Sequence, residues 1–245
     1  MALTDDQWVV ISGAGGALGS ALASHFASRG RRVLGLDRTF DRAAPALGVT
    51  ASTVDLLVEA EVRQALTDTI PANDAIALLV NAVGLIWNEP VLALRGAKLA
   101  THSLETWRKV TDANLTAPFI VATQVAARMV RRGGGSIVNF SSIASQGNAG
   151  QAAYGAAKAG IEGLTRTMAI ELGPLGVRVN AVALGFIDVA STRTAVADER
   201  LEAHARNTPL GRLGHVDDVI GAIEFLAANT FANGTIVKLD GGLRL

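Results

Sequence analysis

The sequence predicts a doubly wound α/β fold, with a seven-stranded, mainly parallel sheet covered by helices on both faces. Three observations carry this expectation. Seven short apolar runs punctuate the 245 residues, stretches of helical length separate most of them, and the first run leads straight into a cluster of glycines. Continuous apolar strands, unlike alternating ones, suit a sheet buried on both sides. Right-handed crossovers then make the doubly wound topology the simplest solution. No repeat, low-complexity tract or linker marks a boundary, so one domain spanning 1–245 is expected.

In chain order, the first strand is Trp8–Ile11, followed by the glycine turn and a helical pattern over Ser20–Arg29. Strands follow at Val33–Leu36 and Ala51–Val54, a helix at Leu56–Ile70, and a strand at Ile76–Val80. A long helix over Leu104–Arg132 leads through Gly133–Gly135 into the strand Ile137–Phe140. The helix Ala152–Leu172 precedes the strands Val177–Val182 and Ile236–Leu239.

Composition narrows the function classes. Lys+Arg and Asp+Glu balance at 22 each, leaving no bulk field to recruit nucleic acid or an anionic membrane. Cysteine is absent, which excludes disulfides, thiolate metal sites and cysteine nucleophiles. Residues 1–7 carry no secretory signal pattern and no apolar stretch is long enough for a membrane span, so a cytoplasmic protein is expected. His102, His204 and His215 lack metal-ligand spacing, and no metal site is expected.

The turn Ser12-Gly13-Ala14-Gly15-Gly16-Ala17-Leu18-Gly19 lets the backbone bend tightly at a helix N-terminus, where a pyrophosphate is favoured. The common G-x-G-x-x-G spacing is not met, because Leu18 stands where its last glycine falls. Asp37 ends the second strand about 20 residues on, placed to accept hydrogen bonds from adenosine ribose hydroxyls in a Rossmann-type dinucleotide site. That carboxylate repels a 2′-phosphate and favours NAD over NADP, although Arg38 beside it tolerates one. Tyr154, the only tyrosine, and Lys158 are four apart and share a helix face. A phenol titrates near ~10, so proton transfer at neutral pH needs it shifted by roughly 3 units, and an ammonium on the same face together with the positive nicotinamide of an oxidised cofactor is expected to stabilise the phenolate. By spacing alone the pair reads first as an amphipathic helix surface.

These motifs, taken in order from Val9 to Gly242, resemble the short-chain dehydrogenase/reductase family in its single-domain branch. The glycine turn is similar to the family's T-G-x-x-x-G-x-G, with Gly13 and Gly19 in place and Gly16, Ala17 and Leu18 between them. Asp55-Leu56 matches the acidic residue that meets the adenine, and Asn81-Ala82-Val83-Gly84 resembles N-N-A-G. "GVRVNAVALGFID" supplies Gly185 and Ile187 near the nicotinamide. The resemblance implies a catalytic set of Asn114, Ser142, Tyr154 and Lys158. In it Ser142 bonds the substrate oxygen, with Ser141 as the competing serine, and Tyr154 transfers the proton. Lys158 binds the nicotinamide ribose and lowers the phenol's pKa, and Asn114 holds a water that relays protons to Lys158. It also implies a small alcohol or ketone substrate and a homotetramer formed through the long helices and final strand.

Departures stand at Ala17, Ala82, Leu184 and Val189, where the family has glycine, asparagine, proline and threonine; Ser191 or Thr192 substitutes for the last. The stretch between Gly84 and Asn114 is several residues longer than in many relatives, and a similar extension occurs in those that oxidise 3-hydroxyacyl-CoA thioesters. Arg95 and Lys98 there are placed to meet a CoA phosphate, or form a solvated loop. Ser191–Thr208 is expected to be a mobile lid hinged at Phe186 and Ile187. The leading function is a dehydrogenase/reductase, with a 3-hydroxyacyl or 3-oxoacyl thioester as one substrate class. A sugar, steroid or other cyclic alcohol and a non-catalytic NAD-sensing role are the alternatives.

Overall fold

The computed structural model describes residues 6–41, 45–96, 98–195 and 198–243. Seven strands, β1 (Trp8–Ser12), β2 (Arg32–Asp37), β3 (Val49–Thr53), β4 (Ile76–Asn81), β7 (Gly135–Ser142), β8 (Val177–Leu184) and β9 (Ile236–Leu239), form one sheet. Its order is β3-β2-β1-β4-β7-β8-β9 and every pairing is parallel. This is the expected Rossmann-type sheet. The strand order reverses between β1 and β4, which opens the crevice where doubly wound sheets bind ligands, beyond the strands' C-terminal ends.

Alternation along each strand sorts the core into two halves. Trp8, Val10, Leu34, Leu79 and Ile137 point to one face, against α2 (Glu59–Thr69), α4 (Ala117–Arg131) and α5 (Ala152–Leu172). Val9, Ile11, Val33, Val80 and Val138 point to the other, against α1 (Ala17–Ser28) and α8 (Val216–Ala228). Each fully buried leucine or isoleucine in these layers contributes about 1.5–3 kcal/mol. Edge strand β3 is largely exposed and starts at Val49 instead of Ala51.

Polar residues also run through the sheet, where an apolar interior was expected. The Ser12 hydroxyl donates to Asn81 Oδ1 (2.8 Å), and Asn81 Nδ2 donates to Asn139 Oδ1 (2.9 Å) and the Pro118 carbonyl (3.2 Å). Asn139 Nδ2 then donates to Thr165 (3.0 Å). All four chain members are at most 1% exposed, and among the described residues every buried side-chain N and O atom has a partner.

Two expected elements differ. The helix over Leu104–Arg132 is broken into α3 (Leu104–Thr111), a π-turn (Asp112–Thr116) and α4. Pro118 causes the break: it has no N–H to donate to the carbonyl of Asn114, and the Ala117 N–H reaches back to Asp112 instead. The extension after Gly84 is an antiparallel hairpin of β5 (Leu92–Arg95) and β6 (Lys98–Thr101), with Leu94 opposite Leu99. Its stem is pinned where the Glu89 N–H donates to the Gly150 carbonyl (2.7 Å) and the Glu89 carboxylate accepts from the Ser103 N–H (2.9 Å). Lys98 is exposed beside the hairpin turn; the side chain of Arg95 lies outside the described residues.

Candidate active site

The glycine turn is shaped by close approach. Gly13 adopts φ +76°, and a Cβ there would lie 2.6 Å from the Val83 amide nitrogen at the end of β4. A Cβ on Gly19 would collide with the Gly13 carbonyl, so the first turn of α1 packs directly on the strand exit. No side chain caps α1, and its leading amides at Ala17, Leu18 and Gly19 belong to the end that lacks intrahelical acceptors. Such an end, with its positive dipole, suits an anionic diphosphate, and the methyl of Ala17 does not close it. Asp37 stands across the turn, its Oδ2 accepting from the Gly15 N–H (2.9 Å) and its Oδ1 from the Arg38 N–H (2.7 Å). These residues fit a dinucleotide: backbone donors for the diphosphate and a carboxylate for ribose hydroxyls.

Other cofactor candidates divide by location. Asp55 Oδ1 accepts from the Leu57 N–H (3.0 Å) just beyond β3, whereas the Leu56 side chain is 3% exposed within the core. Asn81 is likewise committed to the buried polar chain, and its amide has no freedom to serve a ligand. Ala82 keeps the strand end in place through its N–H, which donates to the Ser12 carbonyl (3.0 Å). Gly185 lies against Asp240, which leaves no room for a Cβ.

Asn114, Ser142, Tyr154 and Lys158 are brought together by three elements: the π-turn, the end of β7 and the first turns of α5. All four are buried. Asn114 Nδ2 donates to the carbonyls of Leu85 (2.8 Å) and Val110 (2.9 Å), and its Oδ1 accepts from the Leu85 N–H (3.2 Å). This two-point clamp holds the loop after β4 on the π-turn. Gly84 makes the junction possible, since a Cβ there would lie 2.8 Å from Asn114 Oδ1 and 3.5 Å from Lys158 Nζ. The Ser142 hydroxyl accepts from the Ala144 N–H (3.2 Å) and lies close enough to the Tyr154 phenol to pull its pKa down. Ser141 points the opposite way, donating to Glu162 (3.0 Å) and the Lys158 carbonyl (3.2 Å), so Ser142 is the serine that faces Tyr154.

Electrostatics correct one expectation. Burial pushes the Tyr154 phenol above its ordinary value, with the Ser142 hydrogen bond pulling the other way. Lys158 does not by itself make this phenol acidic: its Nζ stands 5.6 Å from the ring centroid and donates to the Phe140 carbonyl (2.8 Å). Burial lowers the lysine to about 8. Desolvation acts on both groups and outweighs what one helical turn of proximity supplies.

The expected lid consists of α6 (Ala190–Ala195) and α7 (Asp198–Asn207), with residues 196–197 outside the described range. Ile187 is 4% exposed and bridged to Gly214, whereas the Phe186 ring stacks on His204 of α7 with centroids 3.8 Å apart. Thr192, on α6, is buried; the Ser191 side chain lies outside the described residues. Leu201 is also buried, so the segment is docked by apolar contacts as well as polar ones. His102 and His215 serve the starts of α3 and α8, and no metal-binding group of side chains occurs among the described residues. Glu162, one turn beyond Lys158, and Ser145 complete the cluster; the four-residue spacing 154–158–162 was the available sequence signal.

A glycine turn at the switch point of a parallel sheet, with a Tyr–Lys helix beside it, defines the class of dinucleotide-dependent oxidoreductases. The comparisons agree. A family model described as enoyl-(acyl carrier protein) reductase matches residues 13–244. The 3-oxoacyl-[acyl-carrier-protein] reductase of Synechocystis is 35% identical, the match covering 97% of this chain and 96% of that one. Among solved structures, 3-hydroxyacyl-CoA dehydrogenase type-2 from Mycobacterium avium superposes with a TM-score of 0.89 at 28% identity, over 98% and 97% of the two chains. A gluconate 5-dehydrogenase from Burkholderia cenocepacia, in complex with NADP and tartrate, gives 0.85 at 30% identity over 98% and 96%. The chain belongs to the short-chain dehydrogenase/reductase family and is an oxidoreductase acting on secondary alcohols or ketones. No helix among the described residues is long and apolar enough to cross a membrane.

Proposed function

We propose that this enzyme interconverts a secondary alcohol and a ketone with Tyr154 as the general acid/base. The observation that carries the reading is the buried meeting of Ser142, Tyr154, Lys158 and Asn114 beside the crevice at the sheet's switch point. Tyr154 donates its proton to the substrate oxygen on reduction and accepts it on oxidation, while the Ser142 hydroxyl holds that oxygen in reach. A bound nicotinamide supplies or accepts the hydride. Lys158 stays mostly protonated at neutral pH with its pKa near 8, and its charge adds to that of an oxidised nicotinamide to offset the phenolate's desolvation. The Asn114 carbonyl, deprived of its helical donor by Pro118, is available for a water linking Lys158 to solvent. Gly13, Gly16, Ala17, Leu18 and Gly19 hold the diphosphate; Asp37 and Asp55 face the adenosine end, with Arg38 beside them. Gly84, Gly185 and Ile187 shape the nicotinamide end.

Asp37 supports NAD as the preferred cofactor, because a carboxylate held by three backbone N–H groups repels a 2′-phosphate. The NADP complex of the gluconate 5-dehydrogenase keeps NADP as the rival. Names among the relatives support a 3-hydroxyacyl or 3-oxoacyl thioester first and a sugar acid second. A cytoplasmic homotetramer completes the proposal; exposed Phe119 and Ile170 on α4 and α5 and Phe225 on α8 are apolar positions for subunit contacts. The test is a panel of thioesters and alcohols with NAD and NADP, followed by absorbance of the reduced cofactor. Tyr154→Phe should abolish turnover with cofactor affinity nearly unchanged, and retained turnover refutes the role. Asp37→Ala should narrow the preference for NAD; a parent enzyme faster with NADP refutes that assignment.

A further inference from the structure

Resting on that reading of Ser142, we propose that Glu162 is a positioning residue, its carboxylate fixing the chain on both sides of the catalytic hydroxyl. Glu162 Oε1 accepts from the Ser141 hydroxyl (3.0 Å), immediately before Ser142, and from the Ser145 hydroxyl (2.6 Å), three residues after it. Its Oε2 accepts from Arg166 (3.3 Å). Successive side chains of a strand point to opposite faces. Holding Ser141 down onto α5 therefore sets the pleat that sends Ser142 toward Tyr154. Ser145 lies in the 3₁₀ turn Ile143–Gln146, whose Ala144 N–H donates to Ser142 Oγ (3.2 Å). Anchoring Ser145 thus aims that N–H as well.

Glu162 is on the same helix as Tyr154 and Lys158, so the clamp references the serine strand directly to the proton-transfer helix. Its side chain is only 18% exposed, Ser141 is 2% exposed, and hydrogen bonds to a charged acceptor are the stronger kind. An ordinary surface carboxylate needs none of these contacts. Misplacing a reacting group by about 1 Å costs up to ~10²-fold in rate, which is the scale at which loss of such a clamp acts.

The test compares E162A, E162Q, S145A and S142A as full-length enzymes. Readouts are kcat with acetoacetyl-CoA or the best substrate of the panel, NADH binding by fluorescence, and the ¹³Cζ resonance of labelled tyrosine. Tyr154 is the sole tyrosine, so the last is one signal that needs no substrate. E162A should lower kcat by about 10- to 100-fold with NADH affinity within about twofold, and should move the Tyr154 signal. E162Q retains an oxygen acceptor and should stay within about threefold of the parent on kcat, with the signal in place. S145A, which removes half the clamp from its less buried side, should fall between them; it serves if E162A does not fold. A parent-like kcat and resonance in E162A, or in S145A where that stands in, overturns the proposal, as does an E162Q loss as large as that of E162A. A parent-like S142A overturns the reading of the site itself.

Discussion

Asn81 separates a cofactor ligand from a structural residue, and Asn81→Ala decides between them. The side chain is 1% exposed and serves three partners: the Ser12 hydroxyl, Asn139 Oδ1 and the Pro118 carbonyl. Truncation leaves all three without that partner. At about 1 kcal/mol net for each bond, with a small addition for imperfect refilling by water, the loss comes to about 3–4 kcal/mol. For a domain of this size each kcal/mol lowers Tm by about 2–4 °C, giving an expected drop of about 6–16 °C. Calorimetry at fixed protein concentration measures it, and fluorescence titration with NADH well below the transition measures affinity. Affinity should stay within about threefold of the parent. Asn139→Ala in the same background should cost less than it does alone, because the two amides share a bond. A Tm change below about 2 °C together with tenfold weaker NADH binding would refute the argument and return Asn81 to the cofactor site.

Other outcomes follow from the same geometry. Lys158→Met should abolish turnover yet stabilise the ligand-free protein at pH 7 by about 1–2 kcal/mol, because it removes a buried charge at the cost of one hydrogen bond. The lysine's pKa is lowered on folding, so the unfolded chain binds more protons between about 8 and the ordinary 10.5, and parent stability should rise relative to the variant across that window. Urea unfolding at several pH values checks the sign; a gap that widens with pH counts against it. Gly84→Ala should weaken NADH binding and slow turnover by about tenfold each, since its Cβ must displace the Asn114 carboxamide. Unchanged kinetics would show that the junction yields at no cost.

Much of the site was legible in the sequence because its signals are local. The glycine turn, Asp37 and the Tyr154–Lys158 pair each lie on one element, where spacing fixes direction. Ser142 was separable from Ser141 only by resemblance, because adjacent strand residues look alike until one face is known to meet α5. The broken helix was marked by Pro118, yet apolar periodicity ran through it and hid the π-turn. The hairpin β5–β6 read as a loop because its leucines are exposed instead of packed: Leu94 and Leu99 are 73% and 72% accessible.

From the chain of residues alone came the seven strands, the glycine turn and the helix that carries Tyr154 and Lys158, since periods of two and of 3.6 residues are written locally. Tertiary structure alone decided that Asn81 and Leu56 are spoken for by the interior and that Glu162 reaches back to Ser141 and Ser145. It also revealed that burial pushes the phenol's pKa up. Those outcomes depend on which distant segments become neighbours and how much water they exclude, and neither quantity is a property of any single stretch of sequence.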